Sequence, residues 1–416
     1  MDKRIKAIAD KARMDFGLER YRLGRYTFFE SRKNPNFILN MEWFPIDFEG
    51  PVEEDMNPDG TASIDFDIQS ERFTSAIFTM GRSYSTAQPF KVKTIEEAAA
   101  WLEKITNLAY KHDFFAEQAS ENGFRFIARK DGVKLSPSFQ LNVEFDNDGR
   151  LLLFSTYGEA PNWALIEKQK FNLTLEEIEP IVKEHLTLVK FPSESEERFV
   201  PVYAIDEVYV TADGKRTIPF LLDDRTTLEM DHLMEWDEPL EGKIERQSFN
   251  FTKEVSADEA FNSDTVEDIV LTDEKIDACV KLVHDALRME YPEDSGKWTL
   301  RELRPTQTHI EAICYADNPD NFIFRPKMVL IIDKDAATVI NLVDNKGMFD
   351  IFNSFTPAPE PKVDHETAFE KMVPYITLDP VYVYDKELKK YVLCGLIDSE
   401  QAVDAVTGEV LDLRDL

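Results

Sequence analysis

The hexapeptide PVYAID occupies residues 201–206 and PVYVYD occupies residues 380–385; four of the six positions agree. Reading outward from each copy, the same order of elements returns. A helical spacing precedes each: one begins at Thr174 with the capping-box pair Thr174 and Glu177, the other follows Asp364 with Ala368, Phe369, Met372, Val373 and Ile376 on one stripe. Pro180 and Pro374 fall inside these two patterns, where a ring that cannot donate an N–H predicts a kink or a late start. Before them lie runs of strand character, SPSFQLNVEFDNDGRLLLFSTYG and RPKMVLIIDKDAATVINLVDNKG, with Pro137 and Pro326 in matching places. Asp148-Gly149 inside the first is a hairpin signal.

Earlier still, each copy has another amphipathic helix. One shows Ile95, Ala98, Leu102, Ile105 and Ala109 on a single face after the Thr94/Glu97 capping box. The other follows Thr272 with Ile276, Val280, Val283 and Leu287. A block of helix, strands, helix, strands over residues 93–230 therefore recurs over 271–416, with Asp223 and Thr226 set against Asp404 and Thr407. Residues 1–92 read as one further half-unit, a helix with Ile5, Ile8, Ala9, Ala12 and Phe16 on one stripe, then strands. Residues 231–270 are acidic and form the connection; the piece RQSFNFTKEV has strand character and leaves two readings open, a strand that pairs with a sheet edge and a partly mobile linker. The links between strands are too short for crossovers, so the sheets are expected to be antiparallel. The fold class expected is α+β, tandem repeats of a helix packed on a curled antiparallel sheet.

The totals bound the function. A chain of 416 residues with 30 Phe, 13 Tyr and only 15 Gly has the apolar content of a folded protein of several domains. With 48 basic against 80 acidic residues, its formal charge of −32 repels phosphate backbones and anionic lipid. Nucleic acid is thus not expected as a partner, while a protein or peptide is. The three cysteines, Cys279, Cys314 and Cys394, form no CxxC pattern; Cys279 and Cys394 sit in apolar runs as core thiols. No long apolar run predicts a membrane span, and the charged N-terminal stretch does not read as a signal peptide, so a cytoplasmic location is expected, with an exported form whose signal has been removed as the alternative.

No P-loop, GxGxxG, GxSxG or HExxH pattern occurs, and the six histidines lack metal-ligand spacing. The strongest site candidate is DMNPDGTAS. Asp55, Asn57, Asp59 and Ser63 stand at positions 1, 3, 5 and 9 of a Ca²⁺-loop pattern, with Gly60 at position 6. Phe66 occupies position 12, where a bidentate glutamate belongs, leaving Asp65 or Asp67 to supply that carboxylate. The same residues also suit a plain loop between strands. No other cofactor is expected.

The closing run DAVTGE, at Asp404, Ala405, Thr407, Gly408 and Glu409, follows a helix and a P-x-Y strand, and so resembles the PepSY-type repeat. The doubled arrangement is similar to the YcdB/YcdC repeated-domain family over residues 93–416. The first copy departs from the pattern, with Thr227 set where Gly408 stands. The resemblance implies PepSY/cystatin-like units and a binding or regulatory role, protease-modulating or peptide-binding, with no catalytic residues to carry over. The motif itself reads as a turn, Asp404 and Thr407 bonding backbone and Gly408 supplying positive φ. Two rival functions stand beside a non-enzymatic binder: a hydrolase with a site at the inter-domain cleft, and a structural or envelope-associated protein with the Ca²⁺ loop.

Overall fold

All five segments with helical spacing are helices in the computed structural model, which describes residues 1–30, 37–48, 57–86, 94–220, 228–247, 255–262, 271–306, 309–318, 320–333 and 338–416. α1 (Lys3–Asp15) leads into β1 (Tyr21–Glu30), β2 (Phe37–Pro45), β3 (Ala62–Asp67) and β4 (Arg72–Phe78). α2 (Ile95–Thr106) leads into β5 (Phe115–Ser120), β6 (Gly123–Ile127), β7 (Arg129–Lys130), β8 (Val133–Ser136), β9 (Gln140–Phe145) and β10 (Leu151–Tyr157). α3 (Glu179–His185) precedes β11 (Leu186–Ser193), β12 (Arg198–Ile205), β13 (Val208–Thr211) and β14 (Thr217–Pro219). β15 (Leu228–Met234) and the short α4 (Ala257–Asn262) stand before α5 (Asp273–Glu290), which leads into β16 (Trp298–Pro305), β17 (His309–Ala316), β18 (Lys327–Asp333) and β19 (Val339–Asp344). After α6 (Lys346–Ile351), α7 (His365–Met372) precedes β20 (Thr377–Asp385), β21 (Lys390–Asp398), β22 (Gln401–Asp404) and β23 (Val410–Asp412). The class is α+β with mostly antiparallel sheets.

The chain divides into two compact units. The first comprises Met1–Lys168, Thr252–Glu267 and Val381–Val392. Its main sheet has the order β1-β2-β3-β4-β10-β9-β6-β5, so the meander β1–β4 meets a second antiparallel group of four, β5, β6, β9 and β10, through their last strands, with Ala76 opposite Phe154. α1 and α2 pack over this seam; of the stripe predicted for α2, Ala98, Leu102 and Ile105 are buried, joined by Ala99 and Trp101, while Ala109 lies beyond the end of the helix and is exposed. Phe16, closing α1, meets Phe73 of β4 edge-on at 5.0 Å, and Trp101 of α2 meets Phe154 of β10 at 5.5 Å. Phe16 and Trp101 themselves touch, with ring centroids 6.0 Å apart. Asp15 ties the two helices together through Lys104 at 3.0 Å. An exception to the antiparallel expectation is Val381, Tyr382 and Val383, which run parallel to Lys134, Leu135 and Ser136.

The second unit comprises Gln169–Phe251, Asp268–Pro380 and Leu393–Leu416. α5 lies on the sheet β15-β16-β17-β18-β19. Cys279, Val283, Ala286 and Leu287 of the helix bury against Ile310, Ala312 and Cys314 of β17 and Met328, Leu330 and Ile332 of β18, the period-two face that strand alternation requires. Gln247 extends the sheet: its N–H donates to Ile340 O at 3.0 Å, and Asn341 Nδ2 donates to its carbonyl at 3.2 Å. The acidic connection thus does reach a sheet edge at Gln247, while residues 248–254 of the predicted strand lie outside the described residues. The three cysteines are free and buried; loss of hydration raises the thiol pKa of Cys279 and pushes Cys314 up to about 12.

α3 and α7 share one core with the strands that follow them, and those strands pair reciprocally. β12 pairs with β22, Val202 facing Asp404, and β13 pairs with β21, Val208 facing Ile397. Between them lie Val182, Tyr203, Val208, Val210, Phe369, Met372, Ile397, Val403 and Ala405. The prolines behave as their chemistry demands. Pro180 stands in the first turn of α3, after a 3₁₀ turn at Glu176–Ile178, and Pro374 sits in a 3₁₀ turn after α7 has ended.

Two sequence correspondences are corrected by this topology. PVYAID lies on β12, the second strand after its helix, whereas PVYVYD lies on β20, the first strand after its helix, so the matching hexapeptides are not equivalent positions. The counterpart of Gly408 is Gly214 in the β13–β14 turn, with φ of +70° against +74°. Asp223 and Thr226 lie outside the described residues. The DAVTGE turn itself forms as expected: Asp404 Oδ1 accepts from the N–H groups of Val406 and Thr407, both at 2.7 Å, and Thr407 Oγ1 accepts from Glu409 N.

Because Asp404 is buried, truncating it strands two backbone donors. Asp404→Ala should cost about 1–3 kcal/mol of unfolding free energy and Asp404→Asn less, as measured by urea denaturation. Equal stability of Asp404→Ala and the parent would contradict the turn's role.

Candidate functional site

The DMNPDGTAS loop carries the candidate Ca²⁺ ligands Asp55, Asn57, Asp59 and Ser63. Asp55 lies outside the described residues. Asn57 Oδ1 accepts from Arg25 Nη2 at 2.8 Å, and Asn57 Nδ2 donates to Glu42 Oε1 at 2.8 Å, while Arg25 and Glu42 are themselves ion-paired. Asp59 pairs with Arg82 at 3.1 Å. Ser63 sits on β3 and accepts from Asn40 Nδ2 at 2.9 Å, and the same Asn40 nitrogen donates to Asp65 at 2.7 Å. Loss of hydration raises the Asp65 carboxyl above its ordinary value despite that bond. Gly60 takes the tight turn with φ of +79°. The oxygens of Asn57 and Asp59 thus face two different guanidinium groups. Among the described residues, no group of three or more His, Cys, Asp or Glu side chains gathers as metal ligands would.

Two further polar groupings have the residue types of catalysis. Thr306, His309 and Glu311 stand at the β16–β17 turn. Thr306 Oγ1 donates to His309 O at 2.9 Å and accepts from His309 N at 3.0 Å, so the hydroxyl closes a hairpin. His309 Nδ1 also lies 3.0 Å from that hydroxyl, and its Nε2 lies 3.7 Å from Glu311. This is a local turn lock. Glu207 and Asp398, which follow or close β12 and β21, form a hydrogen-bonded carboxyl pair. Desolvation first, then the charge of Asp398, raise Glu207 above the ordinary glutamate value.

A third feature is a surface that the strand and helix patterns did not reveal. The hairpin of β11 and β12 is clamped on two sides by backbone bonds. Lys190 N donates to Asn321 O at 2.8 Å and Ile323 N to Lys190 O at 3.1 Å; Phe199 N donates to Thr356 O at 3.0 Å and Thr356 N to Glu197 O at 2.9 Å. Asn318 fixes the first loop from within, its side chain bonding both the N–H and the C=O of Phe322. The clamp brings five phenylalanines together. Phe199 lies 4.6 Å from Phe322, the two planes tilted by 47°, and lies 5.9 Å from Phe352 and 5.7 Å from Phe355. Phe324 lies parallel to Phe352 at 6.3 Å, with 3° between the planes.

This aromatic base is half-buried, and large apolar side chains stand out from it. Ile323 is 41% exposed, Phe324 40% and Ile351 62%. Exposed apolar side chains are candidates for contact with a partner when they lie near one another rather than scattered singly. The sequence signal was present in NFIF and FDIFNSF, two runs dense in phenylalanine that fit neither a strand alternation nor a long helical stripe. Among the described residues, no helix is long and apolar enough to cross a membrane.

No family model matches the chain, and neither the curated proteins nor the solved structures include a significant match.

The raised Glu207 carboxyl has a defined consequence for stability. The folded state holds its proton more tightly than the unfolded chain does. Stability is therefore lost as pH rises from the unfolded glutamate value, about 4.3, through the higher folded value. Glu207→Gln should flatten this part of the pH–stability curve and raise the melting temperature at pH 7. A variant with an unchanged profile would show that the pair does not titrate in this way.

Proposed function

We propose that this chain is a non-enzymatic binding protein whose ligand is a protein or peptide, taken up on the surface of Ile323, Phe324 and Ile351. The observation that carries the reading is the exposure of these three side chains on a base of interlocked phenylalanines. Apolar burial supplies the affinity. A fixed base lowers the entropic cost of binding, because the receptor side of the contact is ordered beforehand. The formal charge of −32 favours a ligand whose apolar residues are flanked by lysine or arginine.

The PepSY-like reading of the helix-and-strand modules, and with it the likeness to the YcdB/YcdC repeated-domain family, belongs to the same proposal. It rests on the Asp404–Glu409 turn and on the order of helix and strands, and its functional content is binding or protease modulation.

Peptide display on the intact chain tests this. Selected peptides should share apolar anchors with basic flanks, and Phe324→Glu or Ile351→Glu should weaken their binding at least about tenfold while circular dichroism and melting temperature stay unchanged. Selection that yields no peptide, or peptides whose binding ignores both variants, would overturn the assignment.

A further inference from the structure

The first unit holds a short piece of chain that is bound to it as a ligand would be. α4 is six residues long, and a helix of that length has no stability of its own. Its first turn is closed by a capping box: Glu259 N donates to Ser256 Oγ at 3.2 Å, and Ser256 N donates to Glu259 Oε2 at 2.9 Å. That turn places Asp258 and Phe261, three residues apart, on one face. Both side chains meet the same arginine. Arg4 Nη2 of α1 donates to Asp258 Oδ1 at 2.6 Å, and the Arg4 guanidinium lies 4.6 Å from the centre of the Phe261 ring. Asp2 also holds that guanidinium, accepting from Nε at 3.1 Å and from the same Nη2 at 2.9 Å. The edge of Phe261 also packs on the buried Phe28 of β1, with centroids 6.0 Å apart and an interplanar angle of 84°. Ala260 is buried beneath the turn.

Charge complementarity extends beyond the pair. Residues 1–30 carry eight basic against five acidic residues in a chain that is strongly acidic as a whole. Residues 255–268 carry five acidic residues and no basic one. Arg4 and Phe28 thus contact an acid and an aromatic ring at helical spacing, through one guanidinium and one aromatic ring.

We propose that Arg4 and Phe28 form a recognition site for a partner protein that presents aspartate and phenylalanine three residues apart on a helical turn, and that Ala257–Asn262 is the resident competitor of that partner. The site lies in the first unit and does not rest on the Phe324 surface. A tethered competitor acts at an effective concentration on the order of millimolar, so it sets a threshold that a trans ligand has to exceed.

The test uses the intact chain and a fluorescein-labelled peptide with the sequence of residues 255–262, VSADEAFN. Asp258→Ala/Phe261→Ala should vacate the site and bind the peptide at least about tenfold more tightly than the parent does. Adding Arg4→Glu should abolish that gain, and Arg4→Lys should retain part of it. Melting curves establish that each variant is folded. Equal binding by parent and vacated chain, or binding indifferent to Arg4→Glu, overturns the proposal. So does a parent chain that is dimeric by light scattering and becomes monomeric on Phe261→Ala, because the occupant is then a second copy.

Discussion

The reciprocal pairing of β12 with β22 and of β13 with β21 is the constraint on which the second unit depends. Each pair joins strands from distant parts of the chain: Val202 faces Asp404, and Val208 faces Ile397. Neither α3 nor α7 can bury its stripe with its own strands alone, since Val182 and Met372 contribute to a single core with Val210 and Val403. The cost is the entropy of closing very long loops before any apolar contact is made. The return is a core that no single module could fill, with backbone donors on both sides satisfied by the partner module.

The candidate binding surface follows from this. β12 is held at its C-terminal half by β22, and Ala405 N donates to Pro201 O at 2.8 Å. Its N-terminal half, with β11, is thereby a hairpin to which Asn321, Ile323 and Thr356 bond through their backbone. Phe199 stands on that hairpin and is the ring that Phe322, Phe352 and Phe355 all touch. The exposed residues owe their fixed positions to strand pairing, in the way that recognition loops owe theirs to a scaffold.

Much of the architecture was legible because it rests on local chemistry. Stripes such as Ile5, Ala9, Ala12 and Phe16, and capping residues such as Thr94 and Thr272, mark helices through interactions spanning four residues or fewer. The turn around Asp404 was legible for the same reason. Which strands pair is a long-range property, and here local similarity misled: PVYAID and PVYVYD match because both are buried strands that tolerate a proline, not because they hold equivalent places. The Asp59 loop shows the complementary limit. Its oxygens have the spacing of a cation loop, but the arginines that take them up, Arg25 and Arg82, are distant in sequence. The phenylalanine surface was missed because NFIF and FDIFNSF acquire meaning only when the β11–β12 hairpin lies between them.

Hydrogen–deuterium exchange across a denaturant series tests the reciprocal pairing most directly. If the two modules share one core, amides of β12, β13, β21 and β22 that face a partner strand will open with one common free energy and one common denaturant slope. Exchange of the β22 amides through a separate, lower-energy opening that leaves β12 and β13 protected would contradict the account.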